Sequence, residues 1–345
     1  MDLKYNDYYD LVVENGLNLK DVPNEYKTLN ICLIAIKGNG LALEYVPIQF
    51  QTETICKLAV KQNPMALEFV PEEFKTREYC ENVVKNSGWA LEFVPEKLKS
   101  KELCELAVQK EGFALKFVPE KYKTPELCGI AVERKPNALA SVPIELITYD
   151  LCELAVRDEG FYLNDVPDKF KTKEICDIAV ENVGRALAYV PKELRTKELC
   201  FYAVRRDNWA FKYVPEEFIT PELCDYVVSR EGDILKYVQE ELKTKELCEA
   251  AVTKNGRALE FVPYKLMTLD LCKLAVEENS WDNVTRFLLI PEDMRTFEIC
   301  ETVINHSHTY SKRNFVQEYV PEEFQEELAE KYDIKLPEKT NERGR

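Results

Sequence analysis

A chain of 345 residues, 46% hydrophobic and 31% charged, has ample apolar surface for a continuous core, and its 62 acidic against 46 basic residues leave a net charge of −16. That charge repels a phosphate backbone and an anionic membrane surface at long range. No apolar run approaches the ~18 residues that a membrane-spanning helix needs, and Met1-Asp2-Leu3-Lys4 leads into polar, acidic sequence rather than a signal-peptide core.

Residues 1–30 read as a degenerate capping unit, with Tyr8, Leu11 and Val12 where later units have Cys, Ala and Val. From Cys32 to Cys272, cysteines recur every 24 residues without a slip, and Cys300 follows after 28. A strict period of this size marks a solenoid built from one small unit. In the unit Cys104 to Cys128, Thr124-Pro125-Glu126 is a helix start: the hydroxyl caps free N–H groups, proline fits the first helical position, and the acid meets the positive end of the helix dipole. Leu127, Cys128, Ala131 and Val132 then share one face. The helix is expected to run about eleven residues. It stops at glycines such as Gly16, Gly40, Gly88, Gly112, Gly160, Gly184, Gly232 and Gly256, with Asn208 as an alternative left-handed cap and Pro64 and Pro136 as breakers. A second, shorter helix follows (Ala114-Leu115 with Val118), and Val-Pro opens one more turn before the next threonine.

Residues 31–276 hold the regular repeats. After Val276, Ser280, Asp282 and Asn283 replace Gly, Ala and Leu, and extra residues push the proline motif to Pro291, so residues 277–336 read as divergent C-terminal capping units and 337–345 as a charged tail. Pro64, Pro136, Asn208 and Ser280 fall in every third unit, a 72-residue super-period. A helix pair this short cannot bury its own apolar face, so the copies must stack. The expected fold is all-α, an α-solenoid of about thirteen 24-residue repeats.

The cysteines do not suggest cross-links. Equivalent positions on stacked helices lie ~8–10 Å apart, beyond the ~7 Å that a disulfide tolerates, and a row of thiols cannot converge on one metal ion. They read as small buried hydrophobes in a reducing setting, which points to a cytoplasmic protein, or one working inside a host cell if exported without a cleavable signal. His306 and His308 lack a third ligand at a usual spacing, and no phosphate loop or nucleophile elbow appears. No catalytic residue, metal or cofactor is assigned, and the chain is read as a non-enzyme.

Function must lie on the stacked surface. One and five residues past the glycine, the second helix reads Leu41/Tyr45, Met65/Phe69, Trp89/Phe93, Phe113/Phe117, Arg185/Tyr189, Trp209/Tyr213 and Arg257/Phe261, with Asn137/Ser141 and Phe161/Asp165 between. An i, i+4 pair lies on one side of an α-helix. The second member of each pair reads as packing between units. The first varies while its neighbours stay Ala and Leu, so Trp89, Phe113, Phe161, Arg185, Trp209 and Arg257 are candidate partner-binding residues. A basic stretch, Arg185, Lys192, Arg195, Lys197, Arg205, Arg206 and Lys212, offers the rival reading of a nucleic-acid or nucleotide site, with Arg205 and Arg206 as anion contacts; basic residues that complement a helix C-terminus are its plain explanation.

The recurring A-V-x-x-x-G-x-A-L unit with its capped helix resembles the short tandem helical repeats of bacterial proteins grouped as a domain of unknown function, over residues 8–304. The resemblance implies a helical repeat architecture and no catalytic residues. A protein-binding repeat scaffold is the expected function.

Overall fold

All twelve predicted capping hydroxyls, from Thr28 to Thr296 and including Ser100, accept a hydrogen bond from the backbone N–H three residues on. In the computed structural model, which describes residues 5–277, 283–306 and 311–336, each cap opens an α-helix. In the regular units this helix has ten residues in most copies, such as Lys101–Lys110, which buries Leu103, Cys104, Ala107 and Val108. Among the described residues there is no strand, and no helix is long and apolar enough to cross a membrane. The fold is an all-α solenoid of tandem repeats. By its contacts the chain divides into two units, Met1–Asn182 and Val183–Arg345, each built from the same module.

The expected left-handed glycine cap is absent. No described glycine has a positive φ, and Asp333 is the one described non-glycine residue that does, at 51°. The α-helix ends one residue earlier, on an extended residue such as Glu111 (φ −136°, ψ 106°), which also starts the next helix. Gly112 is therefore the first residue of that second helix. What it supplies is room: a Cβ there would stand 2.4 Å from the carbonyl oxygen of Ala131 in the following repeat. Gly16, Gly40, Gly88, Gly184, Gly232 and Gly256 meet the matching carbonyl at 2.2–2.4 Å. Asn208 and Pro64 hold the same place without capping or breaking an α-helix, and the matching residue of the next helix is then Val227 or Val83 instead of alanine. Pro136, which also starts a second helix, faces the alanine register at Ala155.

The second helix is also of a different kind. Gly112–Phe117 and its equivalents are six-residue 3-10 helices, so side chains three apart eclipse and those four apart do not. The expected i, i+4 ridge is thereby corrected: Gly112 stands in line with Leu115, Phe113 with Lys116, and Ala114 with Phe117. Gly112, Ala114 and Leu115 are buried, which leaves the Phe113–Lys116 line outward. Val118 is then extended, and Pro119 caps a single 3-10 turn, Glu120–Tyr122, that leads to Thr124. Gln239 performs the same role with φ −60° and ψ 145°, so the geometry does not require proline.

Within each unit, α-helix packs on α-helix and 3-10 helix on 3-10 helix, giving two layers with the Cys-Ala-Val face between them. In several units a basic residue five before the cysteine ties neighbouring repeats together. Lys99, 7% exposed, donates from Nζ to Glu96 Oε1 at 2.6 Å and to the Phe117 carbonyl of the next repeat at 3.2 Å. Lys123 and Lys243 repeat both bonds, and Arg195 instead donates to the carbonyls of Ala188, Val190 and Tyr213. At the C-terminal end an α-helix, Asn283–Leu288, stands where a 3-10 helix is expected, and buried Phe287 meets Phe315 edge-on with ring centroids 5.1 Å apart. Ser280, Asp282, His308 and residues 337–345 lie outside the described residues.

Candidate recognition ridge on the 3-10 layer

In most of the six-residue 3-10 helices the first, third and fourth positions are buried, which leaves the second outward. In the unit Met1–Asn182 this places Leu41, Met65, Trp89 and Phe113 in four consecutive repeats, none of them buried. Trp89 is 36% exposed, and its ring lies 5.0 Å from Phe113 and 6.2 Å from Phe117, centroid to centroid. Phe161, 37% exposed, holds the same position two repeats beyond Phe113, with half-buried Asn137 between them.

In the unit Val183–Arg345 the same position carries exposed Arg185, half-buried Trp209 and exposed Arg257. Arg185 pairs with Asp207 of the next repeat at 2.5 Å. The Trp209 ring has Lys236 Nζ at 5.1 Å and Tyr237 edge-on at 6.4 Å. In each unit, taken by itself, the three candidate residues thus stand on the outer side of that unit's 3-10 layer. Their partners four residues on, such as Tyr45, Phe69, Phe93, Phe117, Tyr189, Tyr213 and Phe261, are half-buried, as the packing reading expects.

The basic stretch does not gather into one cluster of outward cations. Arg195 is committed to three backbone carbonyls and Arg185 to Asp207, while Arg205 and Arg206 occupy the last turn of the α-helix Lys197–Arg206, where they complement its dipole. Lys192, Arg195 and Lys212 do line a cleft of about 540 Å³, with Glu216 and Glu217 on the same wall. A cleft of about 520 Å³ recurs at the equivalent place beside Lys123 and Pro143, so this shape is a groove of the repeat architecture.

All twelve thiols are free and buried. Burial pushes Cys104 and most of the others up to about 11 and Cys300 up to about 12, which favours the neutral thiol over the reactive thiolate. Among the described residues no group of three or more His, Cys, Asp or Glu could hold a metal ion, and His306 Nδ1 lies 2.9 Å from the Thr302 carbonyl oxygen.

Two features escaped the reading of residues alone. One is the lysine tie between repeats. The other is a row of exposed glutamates, Glu44, Glu68 and Glu92, three residues after the outward position. The signal was present in G-W-A-L-E-F: glycine with leucine, and alanine with phenylalanine, recur at intervals of three, the period of a 3-10 helix.

Four stretches, residues 52–99, 148–195, 173–219 and 220–267, match the family described as Domain of unknown function (DUF4116). The chain carries tandem repeats of that domain. The first match runs from the cap Thr52 to the tie Lys99, so one copy of the domain corresponds to two 24-residue repeats. No curated protein matches the chain.

Proposed function

We propose that the chain is a non-enzymatic repeat scaffold that binds a protein partner along the outer side of its 3-10 layer. The observation that carries this reading is the outward position itself. It varies among Leu, Met, Trp, Phe, Asn, Arg and Asp, while the flanking Gly, Ala and Leu stay nearly fixed. Core packing does not dictate it, and aromatic and arginine side chains there are the residue types that dominate protein–protein hot spots. Buried, neutral thiols fit a reducing compartment such as the cytoplasm.

The rival reading, an anionic nucleic acid or nucleotide on the basic stretch, is less favoured because Arg185 and Arg195 already have partners within the protein. The deciding experiment is affinity capture with the full chain and with the double variant Trp209→Ala/Arg185→Ala. The expected result is one specific protein partner, lost in the double variant while the melting temperature stays within a few degrees. Retention on an anionic column that salt abolishes, with no protein captured, would favour the rival.

A further inference from the structure

The apolar row in the unit Met1–Asn182 has a charged border that its own chain leaves unmatched. Leu41, Met65, Trp89 and Phe113 take the second position of successive 3-10 helices, and Glu44, Glu68 and Glu92 stand one turn further along the first three. Eclipsing of side chains three apart sets each carboxylate in line with its apolar neighbour. A row of exposed acids therefore runs beside a row of exposed and half-buried hydrophobes. Among the described residues none of the three is in an ion pair; Glu44 contacts the neighbouring Tyr45 hydroxyl. The acids of the proline turns differ, since Glu72 pairs with Lys75 at 3.1 Å and Glu96 with Lys99 at 2.6 Å.

Lys37, Lys61 and Lys85 belong to the last turns of the α-helices, in the other layer, and the row ends at Lys116, whose Nζ lies 5.7 Å from the Phe117 ring centroid. In the unit Val183–Arg345, by contrast, Arg185 is matched by Asp207, and Asp233 accepts from Asn255 at 2.9 Å.

We infer that the row Leu41–Met65–Trp89–Phe113, with Glu44, Glu68 and Glu92, receives a basic amphipathic segment of a partner protein. This deepens the scaffold reading and rests on it. Apolar side chains of the segment cover Trp89 and its neighbours, and its lysines or arginines meet the three carboxylates. A partner lacking those cations would cover the acids without matching them, which costs affinity. An acidic partner would be repelled both by this row and by the net charge of −16.

The test uses the full chain and three synthetic helical peptides, measured by calorimetry at physiological salt: one with a leucine face and a lysine face, a Leu→Ser counterpart of equal charge, and a Lys→Glu counterpart. The first should bind at least tenfold more tightly than either of the others. Glu44→Gln/Glu68→Gln/Glu92→Gln should weaken it at least tenfold without moving the melting curve. Glu78→Gln/Glu133→Gln/Glu145→Gln, which removes the same charge elsewhere, should leave it unchanged. Equal binding of the Leu→Ser peptide would reduce the effect to bulk attraction and overturn the inference. So would equal binding of the Lys→Glu peptide, or indifference to the Glu44, Glu68 and Glu92 changes. Capture of the natural partner separates the two readings. If Trp89→Ala abolishes capture and the three glutamine changes do not, the scaffold stands and the basic partner falls; if neither matters, this inference falls, and the Trp209→Ala/Arg185→Ala result alone decides the scaffold.

Discussion

At the scale of single residues, the twelve cysteines are the most regular feature and the least reactive. Each is an apolar filler in the face where the two layers meet, and burial raises its pKa because the thiolate would lose hydration. A thiol-specific reagent should label none of the twelve in the folded protein and all of them in denaturant; rapid labelling of several in the native state would contradict the packing. The same shift fixes a pH dependence. Below the ordinary thiol range both folded and unfolded chains keep the protons, so this contribution to stability is intact. As pH rises from about 9 toward about 11, the unfolded chain releases protons that the folded chain retains, and stability falls. Denaturant midpoints should therefore decline above pH 9, and Cys176→Ala should make that decline slightly shallower.

At the scale of the helical elements, glycine acts through contact between repeats and not through backbone freedom. Gly112→Ala would drive a methyl into the Ala131 carbonyl at 2.4 Å and should cost about 1–3 kcal/mol or more, as overpacking does. Gly129 supplies the matched control. It lies inside the α-helix Pro125–Arg134 with nothing within 4 Å of an added Cβ, so Gly129→Ala should stabilise by about 0.5–1 kcal/mol. Thermal melts of the two variants should move in opposite directions. The lysine tie makes a second case. Lys99→Ala removes both hydrogen bonds and leaves the Phe117 carbonyl without this donor, at a cost of about 1–3 kcal/mol. Lys99→Met should cost less, because Ile147, Ile219 and Met267 show that this position accepts an apolar side chain.

The start of each α-helix was legible in the sequence because capping chemistry is local: a Thr or Ser cap, followed in many units by Pro or Lys and then Glu, declares itself within four residues. The 3-10 character was not. Gly-x-Ala-Leu satisfies the α-helical and 3-10 periods equally over six residues, and Pro64–Phe69 and Asn208–Tyr213 take the 3-10 form without the glycine. The outward position was legible because it varies. Its glutamate neighbours were passed over because the wrong period set them apart from it.

At the scale of the whole molecule, each repeat inside the unit Met1–Asn182, and likewise inside Val183–Arg345, makes its contacts with its neighbouring repeats, so stability within a unit should follow a nearest-neighbour sum. Residues 125–148 make one complete module, from the proline after Thr124 to the next cap, Thr148. Deleting them joins Thr124 to Tyr149, and Thr124 inherits the place of Thr148 as the cap of the helix Tyr149–Asp158. Every later residue keeps its register, because the deletion equals one period. The shortened chain should keep its ellipticity per residue at 222 nm and a cooperative melt. Removing only residues 125–136 is a smaller deletion and should be the more harmful one. It would join Thr124 to Asn137, so the cap would open onto Ala138-Leu139 and a proline turn, and the Ala131 carbonyl that faces Gly112 would be lost with its helix. If the full-module deletion lost as much helicity and cooperativity as the half-module one, the nearest-neighbour account would be wrong, and the chain would be held by contacts reaching beyond adjacent repeats.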